Sequence, residues 1–246
     1  MYSRIPMPQL EYREEDMRYV FLCFPIVGAV IGAIEILWFA IYKKCGFSFV
    51  FFASVAAAVP IFITGGFHMD GFMDTIDALS SFGNREKKLE ILKDSHVGAF
   101  AVIWCCVYML LNFGAYYEIG ARLNMTQMSF IPLTYTLSRA TSAIAAITFP
   151  SAAHNNAAKS SLAEVKKASA QRAVLAGLLI YLVIIISVAL AINQLIGAVM
   201  LLLCGSAFLY YYKMSQKQFG GTTGDLSGWY LQVSELAMLL AIACML

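Results

Sequence analysis

Apolar runs that are long enough to cross a membrane follow one another along most of this chain. A membrane-spanning helix needs about 20 predominantly apolar residues. Only 13% of the 246 residues are charged, about half the usual share of a soluble domain. We therefore predict an all-α, polytopic integral membrane protein of about seven transmembrane helices in a single domain, residues 1–246. The predicted spans are 19–42, 47–64, 98–117, 128–149, 173–192, 195–212 and 229–246.

The basic residues predict how these spans are oriented. With seven spans, 13 of the 17 Lys and Arg residues lie on the side of the N-terminus, three lie on the other side, and Arg139 lies within a span. Cytoplasmic loops carry an excess of positive charge, so the N-terminus and the three long loops are predicted to be cytoplasmic. Asn193 and Gln194 are predicted to form a tight turn between the fifth and sixth spans. The alternative, a single merged span, would weaken the charge bias.

One loop concentrates acidic residues in a chain that has few charges. Residues 65–77 read Gly-Gly-Phe-His-Met-Asp-Gly-Phe-Met-Asp-Thr-Ile-Asp. On a helix, Asp70, Asp74 and Asp77 lie at positions i, i+4 and i+7, so their carboxylates share one face and repel one another. A divalent cation offsets this repulsion, and Mg²⁺ prefers carboxylate oxygens while keeping sites for water and phosphate. The alternative is an acidic face that contacts only water.

Two further segments are predicted to lie on the same side of the membrane. One ends the acidic loop and the other opens the last span: Lys93-Asp94-Ser95-His96 and Gly220-Gly221-Thr222-Thr223-Gly224-Asp225. A glycine-rich backbone that leads into a helix can approach a phosphate closely, with the helix N–H groups pointing at it. The loop 150–172 is predicted to be an interfacial helix with a capping box from Ser161 to Glu164, and no catalytic role is predicted for it.

Carboxylates, Mg²⁺ and backbone donors are the groups that transfer of a phosphoryl or nucleotidyl group requires. A carboxylate or imidazole within reach of the attacking hydroxyl then serves as the general base. Asp77 and His68 are the candidates for that role. Alternatively, His68 orients Asp70 as a ligand of the metal.

Arg139 lies in the middle of a predicted span. A charge at this depth costs about 2.5–3.5 kcal/mol on insertion scales and usually faces a cavity or a partner. We expect Arg139 to clamp a substrate phosphate or carboxamide group. The alternative is a structural ion pair with Glu35 or Glu235, the other ionisable residues within spans.

Four stretches, in order along nearly the whole chain, resemble the cobalamin synthase family of adenosylcobinamide-GDP ribazoletransferases. The acidic segment, with the Ala-Leu that follows it, resembles the signature of that family. The family's second motif is similar to residues 89–100, Leu-Glu-Ile-Leu-Lys-Asp-Ser-His-Val-Gly-Ala-Phe. Its third motif is similar to the glycine-rich segment 220–225 together with Glu235, and its opening is similar to residues 3–8 and 24–28.

The resemblance implies a Mg²⁺-dependent phosphotransferase in the bacterial cytoplasmic (inner) membrane. Its substrates would be adenosylcobinamide-GDP and α-ribazole or α-ribazole 5′-phosphate. The products would be GMP and adenosylcobalamin or its 5′-phosphate. By this resemblance the metal ligands would be Asp70, Asp74, Asp77 and Asp94. Substrate contacts would come from Lys93, Ser95, Arg139 and the segment 220–225. The lipid bilayer is an expected partner, a homo-oligomer is possible, and nucleic acid is not expected.

Two other classes of protein share part of this pattern. A CDP-alcohol phosphotransferase of phospholipid synthesis also places aspartates at a membrane surface, but its Asp-Gly-x-x-Ala-Arg sequence is absent, because Asp74 and Thr75 occupy the last two positions. An ion-coupled transporter would place ionisable residues at mid-membrane in broken helices. Here the acidic cluster lies at the end of a span instead.

Overall fold

The computed structural model describes residues 16–122, 124–152, 166 and 169–245. The elements in this part of the chain are helices, and an isolated bridge joins Ser151 to Thr222. The α-helices are α1 Val20–Cys45, α2 Phe49–Thr64, α3 Phe67–Ser80, α4 Arg85–Ile91, α5 Ala99–Arg122, α6 Phe130–Thr148, α7 Gln171–Ile192, α8 Gln194–Phe219 and α9 Gly224–Cys244. The predicted all-α class is confirmed. The predicted capping box from Ser161 to Glu164 lies outside the described residues.

A helix occupies each of the seven predicted spans, but the count of seven membrane crossings is not confirmed. Five helices are long and apolar enough to cross a membrane: α1, α5, α7, α8 and α9. The helices α2 and α3 meet that criterion only as a bent pair, which would make a sixth span. The helix α6 is 19 residues long and falls short, since Arg139 and several hydroxyl side chains lower its mean hydropathy.

Two glycines redirect the chain at the start of the acidic segment. Gly65 and Gly66 have φ values of 69° and 83°, a region of backbone space that glycine enters without steric cost. As a result α3 turns 92° away from α2. The helix α3 has only 14 residues and exposes Asp70 to water. It packs beside the start of α9 at one end of the bundle.

The predicted turn between the fifth and sixth spans is confirmed. Asn193 ends α7 and caps α8, because its Oδ1 accepts hydrogen bonds from the backbone N–H groups of Leu195 (3.0 Å) and Ile196 (3.1 Å). Gly197 lets the two helices approach closely, since a Cβ there would lie 2.7 Å from the carbonyl oxygen of Ala189. The pair is a helical hairpin, as the charge bias predicted.

The helix α9 is the centre of the bundle. It packs against α3, α5, α6 and α8, and it is the most buried of the five spanning helices. At one end of the bundle, the Tyr42 hydroxyl and the Lys43 ammonium both donate to the carbonyl oxygen of Gly120, which joins α1 to α5. At the other end, α3 and α4 lie beside the start of α9 and the end of α8. We call this second end the acidic end.

Candidate functional site

The acidic end brings together carboxylates that are far apart in the sequence. Two glycines allow α9 to approach α3: a Cβ on Gly71 would lie 2.8 Å from the Cα of Asp225, and a Cβ on Gly228 would lie 3.0 Å from the carbonyl oxygen of His68. This packing places Asp225 beside the aspartates of α3. Asp70 is exposed, while Asp74 and Asp225 are half-buried. We call Asp70, Asp74 and Asp225 the acidic cluster.

The negative charges of these carboxylates act on one another. Partial burial raises the pKa of Asp74 to about 7, and the negative charges of Asp70, Asp225 and Asp77 contribute in that order. A carboxyl group surrounded by like charges takes up a proton, or attracts a cation, to reduce the repulsion. The predicted repulsion between aspartates of α3 is present, and Asp225 adds to it.

Asp77 has a different position from the one predicted for a metal ligand or a general base. Its carboxylate accepts hydrogen bonds from the backbone N–H groups of Gly98 (2.6 Å) and Ala101 (2.8 Å) at the start of α5. These are donors that a helix leaves unpaired, and an acidic side chain that accepts from them stabilises the helix. Both oxygens of Asp77 are therefore engaged in capping α5, and the predicted catalytic role has no support from this geometry.

His68 is not on the face of α3 that carries the aspartates. Two residues along a helix correspond to a rotation of about 200°, so His68 points away from Asp70 and is buried. Its ring packs edge-on against Phe24, with the centroids 5.9 Å apart. Burial, with the charge of Arg139, lowers the pKa of His68 to about 3. The predicted roles of His68, as a general base or as the group that orients Asp70, stay predictions, and either would require the imidazole to leave this buried position.

The second motif lies near the cluster but does not join it. Asp94 accepts hydrogen bonds from the backbone N–H (3.0 Å) and the Nδ1 (2.6 Å) of His96, and these bonds lower the pKa of Asp94. Lys93, Asp94 and Ser95 are exposed. Asp94 is not among the charges that raise the pKa of Asp74, and its role as a metal ligand stays a prediction. Lys93 and Ser95 remain predicted substrate contacts.

The glycine-rich loop uses part of its backbone within the protein. The N–H of Gly221 donates to the carbonyl of Ser215 (3.1 Å), and the N–H of Thr222 donates to the carbonyl of Pro150 (2.8 Å). The hydroxyl of Thr222 is hydrogen-bonded to that of Tyr211. Gly220, at φ 75°, ends α8. The N–H groups of Gly221 and Thr222 thus already have acceptors within the protein, and the substrate contacts expected of these two residues stay predictions.

The last three residues of that loop form the open start of α9. The Thr223 hydroxyl caps the helix by accepting from the N–H of Leu226 (3.3 Å). A Cβ on Gly224 would meet no other atom within 4 Å, so a ligand can approach the backbone there. The first N–H groups of a helix have no acceptor within it and favour anions. The start of α9 therefore offers an anion site directly beside the acidic cluster.

Arg139 forms the ion pair that was the alternative to a substrate clamp. It is 1% exposed, and its guanidinium lies 2.5 Å from a carboxylate oxygen of Glu235. The same oxygen accepts from the Ser138 hydroxyl at 2.6 Å. Glu35 does not pair with Arg139 but accepts from Tyr116 at 3.3 Å. The clamp role remains an untested prediction, and it would require the buried guanidinium to become accessible.

Aspartate carboxylates in this arrangement suit a hard divalent cation. Among the described residues, no three acidic, His or Cys side chains are placed closely enough to enclose a metal by themselves. Mg²⁺ does not need such an enclosure, because it usually binds through one or two carboxylates together with waters and substrate phosphates. The acidic cluster and the open start of α9 fit that requirement. The six cysteines are free thiols.

The fold and the site together define a helical membrane protein. At one end of its bundle, a group of carboxylates suited to a cation lies beside a helix start suited to an anion. The cobalamin-5-phosphate synthase family matches residues 1–243. The chain is 39% identical over 242 residues to a protein of Lachnoclostridium phytofermentans named adenosylcobinamide-GDP ribazoletransferase. The matched region covers 98% of this chain and 90% of that protein. The chain is 32% identical to a protein of the same name from Clostridium perfringens strain 13, covering 98% and 94%. No solved structure matches the chain.

The chain therefore belongs to the cobalamin-5-phosphate synthase family. The resemblance in the sequence motifs is confirmed, and neither the CDP-alcohol phosphotransferase nor the transporter is favoured by these relatives. Sequence reasoning grouped Asp225 with the phosphate loop and did not place it in the acidic cluster. The signal that could have placed it there is the pair Gly71 and Gly228, one small residue on each of two helices that pack closely.

Proposed function

We propose that this chain transfers the adenosylcobinamide phosphate group of adenosylcobinamide-GDP to α-ribazole or its 5′-phosphate, with release of GMP. The observation that supports this most directly is the acidic cluster beside the open start of α9. The names of the relatives supply the two substrates. In the reaction, a ribose hydroxyl oxygen bonds to the phosphorus attached to the cobinamide. The bond from that phosphorus to the bridging oxygen of the pyrophosphate breaks, GMP leaves, and the hydroxyl proton is released.

Mg²⁺ is the proposed cofactor, and one or two carboxylates of the acidic cluster would hold it together with waters and substrate phosphates. When bound, it neutralises charge on the phosphate oxygens during transfer. The chain itself has two tasks. The N–H of Gly224 at the open start of α9 binds and orients the pyrophosphate, and Asp77 holds the start of α5 against α3 so that the cluster keeps its shape.

We propose further that the acidic end faces the cytoplasm, at the bacterial inner membrane. Arg85 lies at this end, where its Nε donates to the carbonyl of Lys217 at the end of α8 (3.1 Å). Lys43 and Arg122 lie at the ends of α1 and α5 at the opposite end of the bundle. The excess of basic residues at the acidic end supports this orientation.

The test is GMP release by the full chain in proteoliposomes. Adenosylcobinamide-GDP is supplied with or without α-ribazole 5′-phosphate, and with Mg²⁺ or EDTA. We expect release that needs the acceptor and the metal and that is lost in Asp70→Asn. The control is Asp94→Asn, an exposed carboxylate of the same loop that lies outside the cluster. Absence of release from correctly inserted protein would contradict the proposal, and CDP-activated lipid would be the next donor to try.

A further inference from the structure

Arg85, the first residue of α4, is fixed against the end of α8. Its Nε donates to the carbonyl of Lys217 and its Nη2 donates to the carbonyl of Gln216, both at 3.1 Å. These carbonyls lie in the last turn of α8, where a helix leaves its C=O groups without intrahelical donors. Because Nε and Nη2 share one edge of the planar guanidinium, the edge that carries Nη1 keeps its N–H groups available.

The available edge of Arg85 lies beside the glycine-rich loop. Arg85 and Gly220 are both exposed to water. Gly220 has a φ of 75°, and a Cβ on it would lie 3.8 Å from Nη1 of Arg85 and within 4 Å of no other described atom beyond its chain neighbours. A ligand can therefore approach the guanidinium where it meets the loop.

The positive charge of Arg85 has no carboxylate partner. None of the ion pairs among the described residues includes it or Lys217, which is also exposed at the end of α8. Positive charge of this kind attracts anions. A guanidinium edge matches the geometry of a phosphate group, and a side chain that two carbonyls already hold loses little freedom when it binds one.

Arg85 is also close enough to the acidic cluster for one substrate to contact both. The loop from Gly220 to Gly224 joins the end of α8 to the start of α9, where Asp225 belongs to the cluster. Five residue steps separate Gly220 from Asp225, so these two residues lie at most about 17 Å apart. The donor substrate, a nucleoside diphosphate attached to a corrinoid, is large enough to contact both.

We propose that the available edge of Arg85 binds a phosphate group of a substrate. This inference rests on the proposed function, since it adds a contact to the same site. The phosphate has two possible sources, the pyrophosphate of the donor and the 5′-phosphate of α-ribazole 5′-phosphate. The N–H of Gly224 and the cation already account for the pyrophosphate, so we expect Arg85 to bind the 5′-phosphate of the acceptor. The chain would then favour the phosphorylated acceptor over α-ribazole.

The experiment measures KM for adenosylcobinamide-GDP, α-ribazole and α-ribazole 5′-phosphate by GMP release, with the full chain in phosphatidylcholine proteoliposomes. Arg85→Gln removes the charge and keeps an amide that can donate to a carbonyl of α8. We expect it to raise KM for α-ribazole 5′-phosphate about tenfold and to leave KM for α-ribazole unchanged. A rise in KM for adenosylcobinamide-GDP alone would support the phosphate contact and assign it to the donor. Unchanged KM for all three substrates would overturn the proposal.

Two control variants separate binding of phosphate from the attachment of α4 to α8. Lys88 makes the other contact between these helices, because its Nζ donates to Oε1 of Gln218 at 2.6 Å. Lys88→Met removes that contact without touching the guanidinium and should leave KM for every substrate unchanged. The same rise in Lys88→Met as in Arg85→Gln would show that Arg85 only holds α4 in place, and it would overturn the proposal. Arg122→Gln, the same substitution at the opposite end of the bundle, should also change nothing.

A second variant keeps the test valid if Arg85→Gln fails to insert. Arg85→Lys keeps the charge and loses the planar edge, so we expect a smaller rise in the same KM, and no rise would overturn the proposal. A lipid headgroup also carries phosphate. An effect of either variant that appears only in vesicles with added phosphatidylglycerol would assign Arg85 to the lipid and overturn the proposal. Intact GMP release by the wild type in any of these cases leaves the proposed function standing.

Discussion

Two regions of this bundle use their carboxylates in opposite ways. In the middle of the bundle, Glu235 is fully paired, with Arg139 and Ser138 both bonded to one of its oxygens. At the acidic end, Asp70, Asp74 and Asp225 lie together with no cation among the described residues bonded to them. A pair of opposite charges inside a bundle holds helices together, whereas a group of like charges at its end costs stability. The group of like charges at the acidic end is explained if a bound cation neutralises the carboxylates.

The largest expected effect comes from the acidic cluster. Asp70→Asn and Asp225→Asn should each lower the rate of GMP release by about 10³-fold or more, because a ligand of the charge-neutralising metal is lost. Thermal stability in detergent should not fall, since each change also removes a repulsive charge. Activity above about a tenth of the wild-type rate in both variants would contradict the proposed role of the cluster.

Breaking the buried pair of Arg139 and Glu235 should lower stability, in contrast to the substitutions in the acidic cluster. Arg139→Met leaves Glu235 without its partner and should lower the free energy of unfolding by about 3–5 kcal/mol, measured by chemical denaturation in detergent. The double variant with Glu235→Gln should recover most of this loss. A double variant that is stable but inactive would instead favour the substrate clamp for Arg139.

Substitutions of Asp77 distinguish a role in capping α5 from a role in the reaction. Asparagine keeps one of the two acceptor oxygens, so Asp77→Asn should lose part of the cap and keep activity, whereas Asp77→Ala loses both bonds and should cost about 1 kcal/mol or more. Hydrogen exchange at the amides of Gly98 and Ala101 reports the cap directly, and it should accelerate at one amide in the asparagine variant and at both in the alanine variant. Loss of activity in the asparagine variant would restore Asp77 as a base or a metal ligand.

The smallest expected effect is on the pH dependence of metal binding. The pKa of Asp74 is raised to about 7 without a cation, and a bound cation would lower it. Binding then releases a proton, so the affinity for Mg²⁺ should fall by up to about tenfold per pH unit as the pH drops below 7. The measurement is the Mg²⁺ concentration for half-maximal activity from pH 8 to pH 6. Asp74→Asn should flatten this dependence.

The sequence predicted much of the fold because the membrane imposes a simple rule. Helices were found at all seven predicted places, and the turn at Asn193 was found where the charge bias required it. The number of crossings was harder to predict, because α3 turns away from α2 at Gly65 and Gly66. Hydropathy alone does not show where the path of the helices bends.

The sequence predicted the chemistry of the site, but it did not predict which residues lie together there. Spacing along one helix grouped the aspartates of α3, yet Asp77 is engaged in capping α5 and His68 faces the interior. Asp225 joins the cluster through a contact between helices that are about 150 residues apart in sequence. A helical repeat shows which residues share a face, and it does not show what packs against that face.

The most direct test of the acidic cluster is Mn²⁺ binding, followed by electron paramagnetic resonance, to metal-free full-length protein in the presence of adenosylcobinamide-GDP. Mn²⁺ replaces Mg²⁺ because both suit carboxylate and water ligands. We predict that wild type and Asp94→Asn bind Mn²⁺ with similar affinity and that Asp225→Asn binds at least about tenfold more weakly. Unchanged binding in Asp225→Asn, with loss of binding in Asp94→Asn, would contradict the account and return the metal to the second motif.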